Sequence, residues 1–311
     1  MKRFKHIIVK VNASTNLEMD IAVLRGVELA RKIGARITLF DVVEPHESIL
    51  SSYADIVSPS ELTELIVAQR LDQLNELAEK LHRNGLDISA RVTSGKNFIE
   101  IVKFVILNKG DLLIKAANKS EKSFDSNDFH IMRKCPKPVW LIKEEKNENV
   151  KKVLAAVDLS MEQHAEGRAQ NRMIIDIATS LSRYKNAELT ILSCWSLYGE
   201  EALRRGAFTR VPQAKIETLL NNEEREYQES LNILVNEYAE FKFDQQLMKG
   251  KPKSIIPEFV NSHEIDVVVM GTIGRSGIPG FLIGNTSESV LQAINSSVIT
   301  LKPENWVSPI Y

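Results

Sequence analysis

The chain carries one alternation of strands and helices twice, and this internal repeat limits its fold more than any other feature of the sequence. Short β-branched runs alternate with long amphipathic segments, which is typical of βαβ units and a parallel sheet. A slowly growing offset separates the counterparts along the chain, as at Val11 and Val157, Gly95 and Gly250, and Val139 and Val298. A duplicated domain with small insertions gives this pattern, and two unrelated α/β domains that share only a period are the alternative.

The repeat predicts ten strands in two sets of five. The first set covers residues 6–11, 35–43, 86–92, 111–117 and 139–143, and the second covers 153–157, 187–195, 242–248, 266–271 and 298–302. Helical spacing of apolar residues predicts long helices over 61–83 and 223–239. The charged segment 144–149 has the composition of a solvated linker, so the predicted domains are residues 1–145 and 150–311.

Composition excludes several classes of protein. The 40 Lys and Arg residues balance 41 Asp and Glu residues, and this net charge of −1 argues against a generic binder of nucleic acid or anionic membrane. Two cysteines rule out a disulfide framework. No apolar run is long enough to span a membrane, and Lys10 interrupts the apolar run near the N-terminus, so no signal peptide is predicted. We therefore expect a cytoplasmic protein with no membrane span and no direct contact with nucleic acid.

One glycine-rich segment stands out in the second half. A predicted strand runs into Gly271, Gly274 and, after nine intervening residues, Gly284, and an amphipathic helix follows. Glycines let the backbone approach an anion closely, successive backbone N–H groups form an anion-binding nest, and a helix N-terminus adds unpaired N–H groups. This context predicts a phosphate site, whereas a loop that needs glycine only for tight turns is the alternative.

The same segment carries a resemblance to a known family. The stretch GTIGRSGIPGFLIGNTSE resembles the nucleotide-binding loop of the universal stress proteins, G-x2-G-x9-G-[S/T], and VLAAVDLS (153–160) resembles the first strand of that family with its terminal Asp. Two such domains in tandem, together with RKCPKPVWLIK (133–143), are similar to the E-type members. The resemblance covers nearly the whole chain.

The resemblance implies a fold and a ligand. Each half is expected to be a five-stranded parallel sheet in the order 3-2-1-4-5 with helices on both faces, and such sheets bind ligands at the crossover between strands 1 and 4. ATP with Mg²⁺ is the implied ligand. The implied function is that of a regulatory nucleotide-binding module in the stress response, with links to DNA-damage resistance, motility and adhesion. A slow ATPase, or a carrier of a small or lipid-like ligand in the first half, is the alternative.

The resemblance also assigns roles to single residues. Asp158 matches the acid on the adenine side, and Met270 and Gly271 match the lining of the base and ribose pocket. The positions around the triphosphate correspond to Gly274, Arg275, Gly284, Asn285 and Ser287. Asn285 departs from the motif, which has Ser or Thr there, although its amide also donates hydrogen bonds. A helix N-cap shared with Ser160 is the alternative role for Asp158.

The first half departs from the family pattern. Its counterpart of the glycine loop, residues 112–138, contains no glycine, and Asn12 stands where the family has the acid. We therefore predict that this half does not bind ATP in the family manner. The resemblance further implies that the two fifth strands pair in an internal pseudo-dimer, with Trp140 buried at that contact. A homodimer of the whole chain is an open possibility, and protein partners are unknown.

Three further patterns in the sequence give weaker indications of function. His130, Cys135 and Asp128 form a candidate zinc site. The alternative is that His130 is a surface histidine and Cys135 a buried structural cysteine. Cys194 lies in an apolar strand and is interpreted as a packing residue rather than a nucleophile. The arginines at 204, 205 and 210 form either a solvated face or a basic edge that reaches a ligand. No catalytic residue is predicted.

Overall fold

The computed structural model describes residues 1, 3–12, 17–45, 56–83, 85–117, 124–143, 149–205, 211–273 and 284–310. Internal contacts divide these residues into two compact units. The first unit holds the described residues up to 143 together with 297–310, and the second holds 149–273 and 284–296. The domain limits drawn from the sequence, 1–145 and 150–311, stay predictions.

All ten predicted strands are present, with ends that shift by one or two residues. In the first half they are β1 (His6–Lys10), β2 (Arg36–Val43), β3 (Ile88–Ser94), β4 (Leu112–Ala116) and β5 (Val139–Ile142). In the second half they are β6 (Lys152–Val157), β7 (Glu188–Trp195), β8 (Asp244–Lys249), β9 (Val267–Gly271) and β10 (Ser297–Leu301).

Nine α-helices lie between the strands within the described residues. They are α1 (Ile21–Ile33), α2 (Pro59–His82), α3 (Asn97–Leu107), α4 (Ser126–Lys134), α5 (Ala165–Lys185), α6 (Glu200–Arg205), α7 (Gln213–Asn236), α8 (Pro252–Ser262) and α9 (Asn285–Ala293). Short 3-10 helices cover Leu17–Met19 and Leu159–Met161. None of the helices in this part of the chain has the length and apolar character needed to cross a membrane.

Helix α7 begins ten residues before the helix predicted over 223–239. Ile216 and Leu220 continue its apolar stripe toward the N-terminus, and both are buried against Trp195 at the end of β7. Pro212 then occupies the N-cap position. The exposed Leu219 lies off this stripe, and residues 221–226 are all polar. Periodicity alone therefore places the start of the helix too late.

The first unit contains a sheet in the order β3-β2-β1-β4-β5 whose strands are all parallel. This is the predicted order 3-2-1-4-5. Every residue of β1, β4 and β5 is buried. Because successive side chains of a strand point to opposite faces, such continuous burial means that helices cover both faces of the sheet.

The second unit repeats this arrangement with four parallel strands in the order β8-β7-β6-β9. The fifth strand of the second half, β10, lies in the first unit, where it is antiparallel to β5. Ile299 faces Trp140 across this pair, and Trp140 is fully buried, as predicted for the contact of the fifth strands. The pseudo-dimer of the two halves stays a prediction.

The two halves share a turn after their third strand. Gly95 follows β3 and Gly250 follows β8, with φ angles of 143° and 142°. Residues other than glycine rarely adopt this backbone conformation, and a Cβ at either position would also lie within 2.8 Å of a neighbouring side chain. Glycine is therefore required at both turns.

Candidate functional site

The carboxyl ends of β6 and β9 lie side by side in the second unit. These strands are parallel neighbours in a register that places Ala156 beside Met270. Asp158 and Thr272 each follow the end of one of these strands. The structure thus brings Asp158, Met270 and Gly271 together at one edge of the sheet, where open α/β sheets generally bind ligands.

Asp158 is held by its own neighbours in the chain. Its carboxylate accepts a hydrogen bond from the backbone N–H of Ser160 at 3.1 Å and one from the Ser160 hydroxyl, which makes it the N-cap of the short 3-10 helix. Asn171 of α5 makes two hydrogen bonds with the backbone of Asp158. The Asp158 N–H donates to Oδ1 of Asn171 at 3.0 Å, and Nδ2 of Asn171 donates to the Asp158 carbonyl at 2.9 Å. The alternative role as a cap is therefore present, and a role toward a ligand stays a prediction.

Asn171 is a residue that the sequence interpretation missed. It is only 2% exposed although it lies in an amphipathic helix. A buried amide needs hydrogen-bond partners, and here the partners are the backbone of Asp158 and the carboxylate of Glu162. An asparagine among the apolar positions of α5 was the available signal.

The segment after β9 is tied back to the strand by two hydrogen bonds. The backbone N–H of Gly284 donates to the carbonyl of Thr272 at 2.8 Å, and the Ser287 hydroxyl donates to the carbonyl of Gly271 at 3.1 Å. Ser287 is 9% exposed and Met270 is 4% exposed. Ser287 therefore anchors the first turn of α9 to the end of β9, and its contact with a phosphate stays a prediction.

The start of α9 has no side-chain cap. Gly284 is the N-cap residue and supplies no side-chain cap to the first turn. Asn285 and Thr286, the first helical residues, are exposed. The N–H groups of a helix start have no partner inside the helix and lie at the positive end of its dipole, so this start offers donors to an anion.

Gly271 is needed for a contact that the sequence did not indicate. A Cβ at this position would lie 2.4 Å from Nε2 of Gln170, a residue of α5. The Gln170 Nε2 atom is buried and has no hydrogen-bond partner among the described residues. The absence of a side chain at Gly271 thus lets the Gln170 amide approach the end of β9. Nothing in the sequence around Gln170 indicated this contact.

Two of the predicted ligand residues, Gly274 and Arg275, lie outside the described residues, and so does Arg210. Arg204 and Arg205 are described. Arg204 forms an ion pair with Glu200 at 2.9 Å, and Arg205 forms one with Glu201 at 3.1 Å, each within the short helix α6. These pairs agree with the solvated face that was weighed against a basic edge.

The corresponding edge of the first sheet is filled by buried ion pairs. The Lys10 ammonium lies 2.7 Å from the Asp41 carboxylate, and the Lys115 ammonium lies 2.8 Å from that of Asp128. Lys10 and Lys115 are neighbours in the β1–β4 register, at the positions that Ala156 and Met270 take in the β6–β9 register. Arg70 adds a contact of 3.5 Å to Asp41.

Burial changes the titration of these pairs. It lowers the pKa of the Lys10 ammonium, and the attraction of Asp41 opposes the shift. It raises the pKa of the Asp128 carboxyl, and the attraction of Lys115 opposes that shift. Burial thus disfavours the charge of Lys10 and that of Asp128, and each partner favours it.

The first-half helix α4 starts differently from α9. Asp125 is its N-cap, and the Asp125 carboxylate accepts a hydrogen bond from the backbone N–H of Asp128 at 2.7 Å. A carboxylate of the protein thus occupies the place that an anion takes at an uncapped helix start. This difference supports the prediction that the first half does not bind ATP in the family manner.

The candidate zinc site is not assembled. Asp128 is paired with Lys115, and the His130 ring stacks on Phe98 with centroids 4.4 Å apart. Burial raises the pKa of the Cys135 thiol, which disfavours the thiolate that zinc requires. Among the described residues, no three His, Cys, Asp or Glu side chains converge on one point.

Cys194 behaves as a packing residue. Burial, helped by the charge of Asp158, raises the pKa of its thiol to about 12. The thiol is therefore protonated at neutral pH and a poor nucleophile. This agrees with its interpretation as part of the apolar strand β7.

Comparison with protein families finds one match in each half. The model of the universal stress protein family matches residues 3–143 and 149–302. The universal stress protein E of Escherichia coli K12 is 24% identical over 326 aligned residues, which cover 100% of this chain and 98% of that protein. The universal stress protein E homolog of Haemophilus influenzae is 22% identical, with 97% and 98% covered.

Solved structures show the same fold. A protein of unknown function from Pseudomonas aeruginosa PAO1 superposes with a TM-score of 0.75 at 22% identity, covering 98% of this chain and 94% of that chain. A universal stress protein from Archaeoglobus fulgidus superposes with a TM-score of 0.59 at 19% identity, covering 96% and 98%. The tandem arrangement predicted from the sequence is thereby confirmed.

Proposed function

Because the chain belongs to the universal stress protein family, with one family domain in each half, we propose that its second half binds ATP together with Mg²⁺. The bound nucleotide makes the chain a regulatory module of the stress response in the cytoplasm. The observation that carries this proposal is the start of α9, which has glycine at its N-cap and lies beside the carboxyl ends of β6 and β9.

The start of α9 suits a phosphate for electrostatic reasons. Its N-cap glycine offers the first-turn N–H groups no side-chain acceptor, and the helix dipole adds positive potential at the same place. Ser287 and the Gly284 N–H hold the turn against β9, so these donors are already oriented before an anion arrives. Pre-organised donors bind an anion without a further ordering cost.

The residues present fit the nucleotide more closely than they fit Mg²⁺. The N–H groups at the start of α9 would hold phosphate oxygens, and Asp158 would lie on the adenine side by family resemblance. No cluster of three His, Cys, Asp or Glu side chains is found in the described part of the chain. Mg²⁺ is commonly bound mainly by the phosphates and by water, so it would arrive with the nucleotide. It neutralises phosphate charge there.

The direct test is nucleotide binding by the full chain and by a variant with a filled helix start. Gly284→Asp places a carboxylate at the N-cap, as Asp125 does in the first half. It should repel phosphate and lower ATP·Mg affinity by about tenfold or more in isothermal titration calorimetry. One ATP per wild-type chain is expected.

A matched control is Lys251→Asp. Lys251 is the N-cap of α8, also without a side-chain cap, but α8 follows the edge strand β8, which β7 separates from β6. This variant changes the charge by more than Gly284→Asp does, and it should retain full ATP affinity. No binding by the wild type, or equal losses in both variants, would contradict the proposal. Turnover well above that of Gly284→Asp would favour the slow ATPase instead.

A further inference from the structure

The side-chain amide of Gln170 lies at the end of β9 with a donor that has no partner. Gln170 belongs to the second turn of α5, and its Nε2 atom is 2.4 Å from the place that a Cβ on Gly271 would take. The residue as a whole is partly exposed, whereas Nε2 is buried and bonds to none of the described residues. A buried donor of this kind costs free energy until an acceptor reaches it, so the amide fits a ligand group that accepts a hydrogen bond.

The backbone that carries Gln170 is fixed at the edge of the sheet. The next residue, Asn171, is 2% exposed and makes two hydrogen bonds with the backbone of Asp158, at 3.0 and 2.9 Å. Three residues earlier, Gly167 lies so close to Met161 that a Cβ there would be 2.3 Å from the Met161 carbonyl oxygen. These contacts hold the start of α5 against the segment that follows β6. The Gln170 amide therefore starts from a pre-organised backbone, which lowers the cost of ordering it around a ligand.

The first half has no room for the same contact. Lys115 and Met270 take equivalent places in the registers of the two halves, so Ala116 and Gly271, which follow them, also correspond. Ala116 carries the Cβ that Gly271 lacks, and this Cβ would collide with an amide placed as that of Gln170 is. The close approach of an amide to the fourth strand thus belongs to the half for which nucleotide binding is proposed.

Gln170 also lies near the start of α9, which would hold the phosphates. The N–H of Gly284 donates to the carbonyl of Thr272, and the Ser287 hydroxyl donates to the carbonyl of Gly271. The helix start is therefore bonded to the same residue, Gly271, that the Gln170 amide contacts. In a nucleotide the ribose is directly joined to the phosphates, and the N–H groups of α9 already serve the phosphate oxygens.

We propose, on the premise of the nucleotide site described above, that Gln170 recognises the ribose of the bound nucleotide. Its Nε2 donates a hydrogen bond to one of the two ribose hydroxyls. A hydroxyl has acceptor lone pairs as well as a proton, so it supplies the acceptor that the protein does not. A site built to bond a hydroxyl discriminates against the analogue that lacks it, because the buried donor is then left unpaired. The second half is thereby selective for ribonucleotides.

The test compares ATP with 2′-deoxy-ATP and 3′-deoxy-ATP, each with Mg²⁺, by isothermal titration calorimetry of the full chain. The wild type should bind the analogue that lacks the recognised hydroxyl about tenfold more weakly than ATP. Gln170→Leu should bind ATP about tenfold more weakly than the wild type and should bind that analogue as well as it binds ATP. A side chain that only supports the fold would lower the three affinities by one factor and leave their ratios unchanged.

The matched control is Gln228→Leu. Gln228 lies in α7 of the same unit and is also partly exposed, but its Nε2 already donates to Oδ1 of Asn232 at 3.0 Å. This variant should keep the ATP affinity and the discrimination of the wild type. If the wild type binds ATP and both analogues equally, or if Gln170→Leu keeps the discrimination, the role of Gln170 is overturned while the nucleotide site stands. If the wild type binds no ATP, the nucleotide site fails and the role of Gln170 with it.

Discussion

The starts of α4 and α9 occupy equivalent places in the two halves and differ in one decisive residue. Both helices have nine residues, follow the fourth strand of their half and precede its fifth. Asp125 caps α4 with a carboxylate, whereas Gly284 leaves α9 without a side-chain cap. The same backbone arrangement is therefore closed by the protein itself in one half and left open to an anion in the other.

The difference extends to the strands beneath these helices. Buried ion pairs join Lys10 to Asp41 and Lys115 to Asp128 in the first half. The repeat counterparts of the two aspartates in the second half are Ser193 and Ser287. Buried ion pairs add little net stability but are costly to break. The comparison teaches that duplication preserved the sheet and released the edge residues to change.

The largest expected effect comes from breaking one pair. Lys115→Met leaves Asp128, which is fully buried, without its cation, and should destabilise the first half by about 3–5 kcal/mol. Adding Asp128→Ser removes the stranded carboxyl and should restore most of the loss. Denaturant unfolding can follow the first unit in a Trp195→Phe background, because Trp140 and Trp306 both lie in that unit.

The Lys115→Met deficit should depend on pH. Burial already raises the pKa of Asp128 above its unfolded value, and losing Lys115 raises it further. The folded variant then binds a proton that the unfolded chain releases, so its stability improves as pH falls from 7 toward 5. A deficit that is unchanged over this range would show that Asp128 stays charged and that the pair is not what stabilises this edge.

Lys302 offers the next largest effect. It follows β10 and is 6% exposed, and its ammonium donates to the carbonyl of Met132. Burial lowers its pKa from 10.5 to about 8. Its repeat counterpart, Lys143 at the end of β5, is only partly buried. Lys302→Met should therefore stabilise the first unit by about 3 kcal/mol at pH 7, while Lys143→Met should change stability little.

The sign of this effect follows from proton linkage. Between about pH 8 and 10.5 the unfolded chain holds a proton on Lys302 that the folded chain has released. Wild-type stability should thus rise relative to Lys302→Met across this window, and the advantage of the variant should vanish above it. Unfolding curves at several pH values check the prediction, and a constant difference between the two proteins contradicts it.

The smallest expected effect exchanges the two helix starts. Asp125→Ala removes the cap of α4 and should cost about 1 kcal/mol, whereas Gly284→Asp supplies a cap to α9 and should gain roughly 0.5–1 kcal/mol. Thermal unfolding of both variants measures the pair. A loss of stability in Gly284→Asp would indicate that the start of α9 cannot accept a side chain, which would weaken the use of this variant as a binding test.

The sequence predicted the repetitive parts of this protein well. The strands and the order of the first sheet follow from periodicity and from family resemblance, because continuous burial of the central strands and one-sided burial of the helices dominate the choice of residues there. The turns at Gly95 and Gly250 were also predictable, since positive φ angles favour glycine. Asp128 shows the limit: its acidic side chain suggested a metal, and only the approach of Lys115 from another element shows an ion pair.

Sequence alone thus determined the family, the tandem repeat and the half that carries the glycine loop, because these depend on local residue types and on spacing along the chain. Tertiary structure decided the partners. It joined Lys10 to Asp41 across two strands, brought Gln170 against Gly271, and placed β10 in the first unit beside β5. Each of these contacts joins residues far apart in sequence, and only the packing of the folded chain selects one such partner among many of equal chemistry.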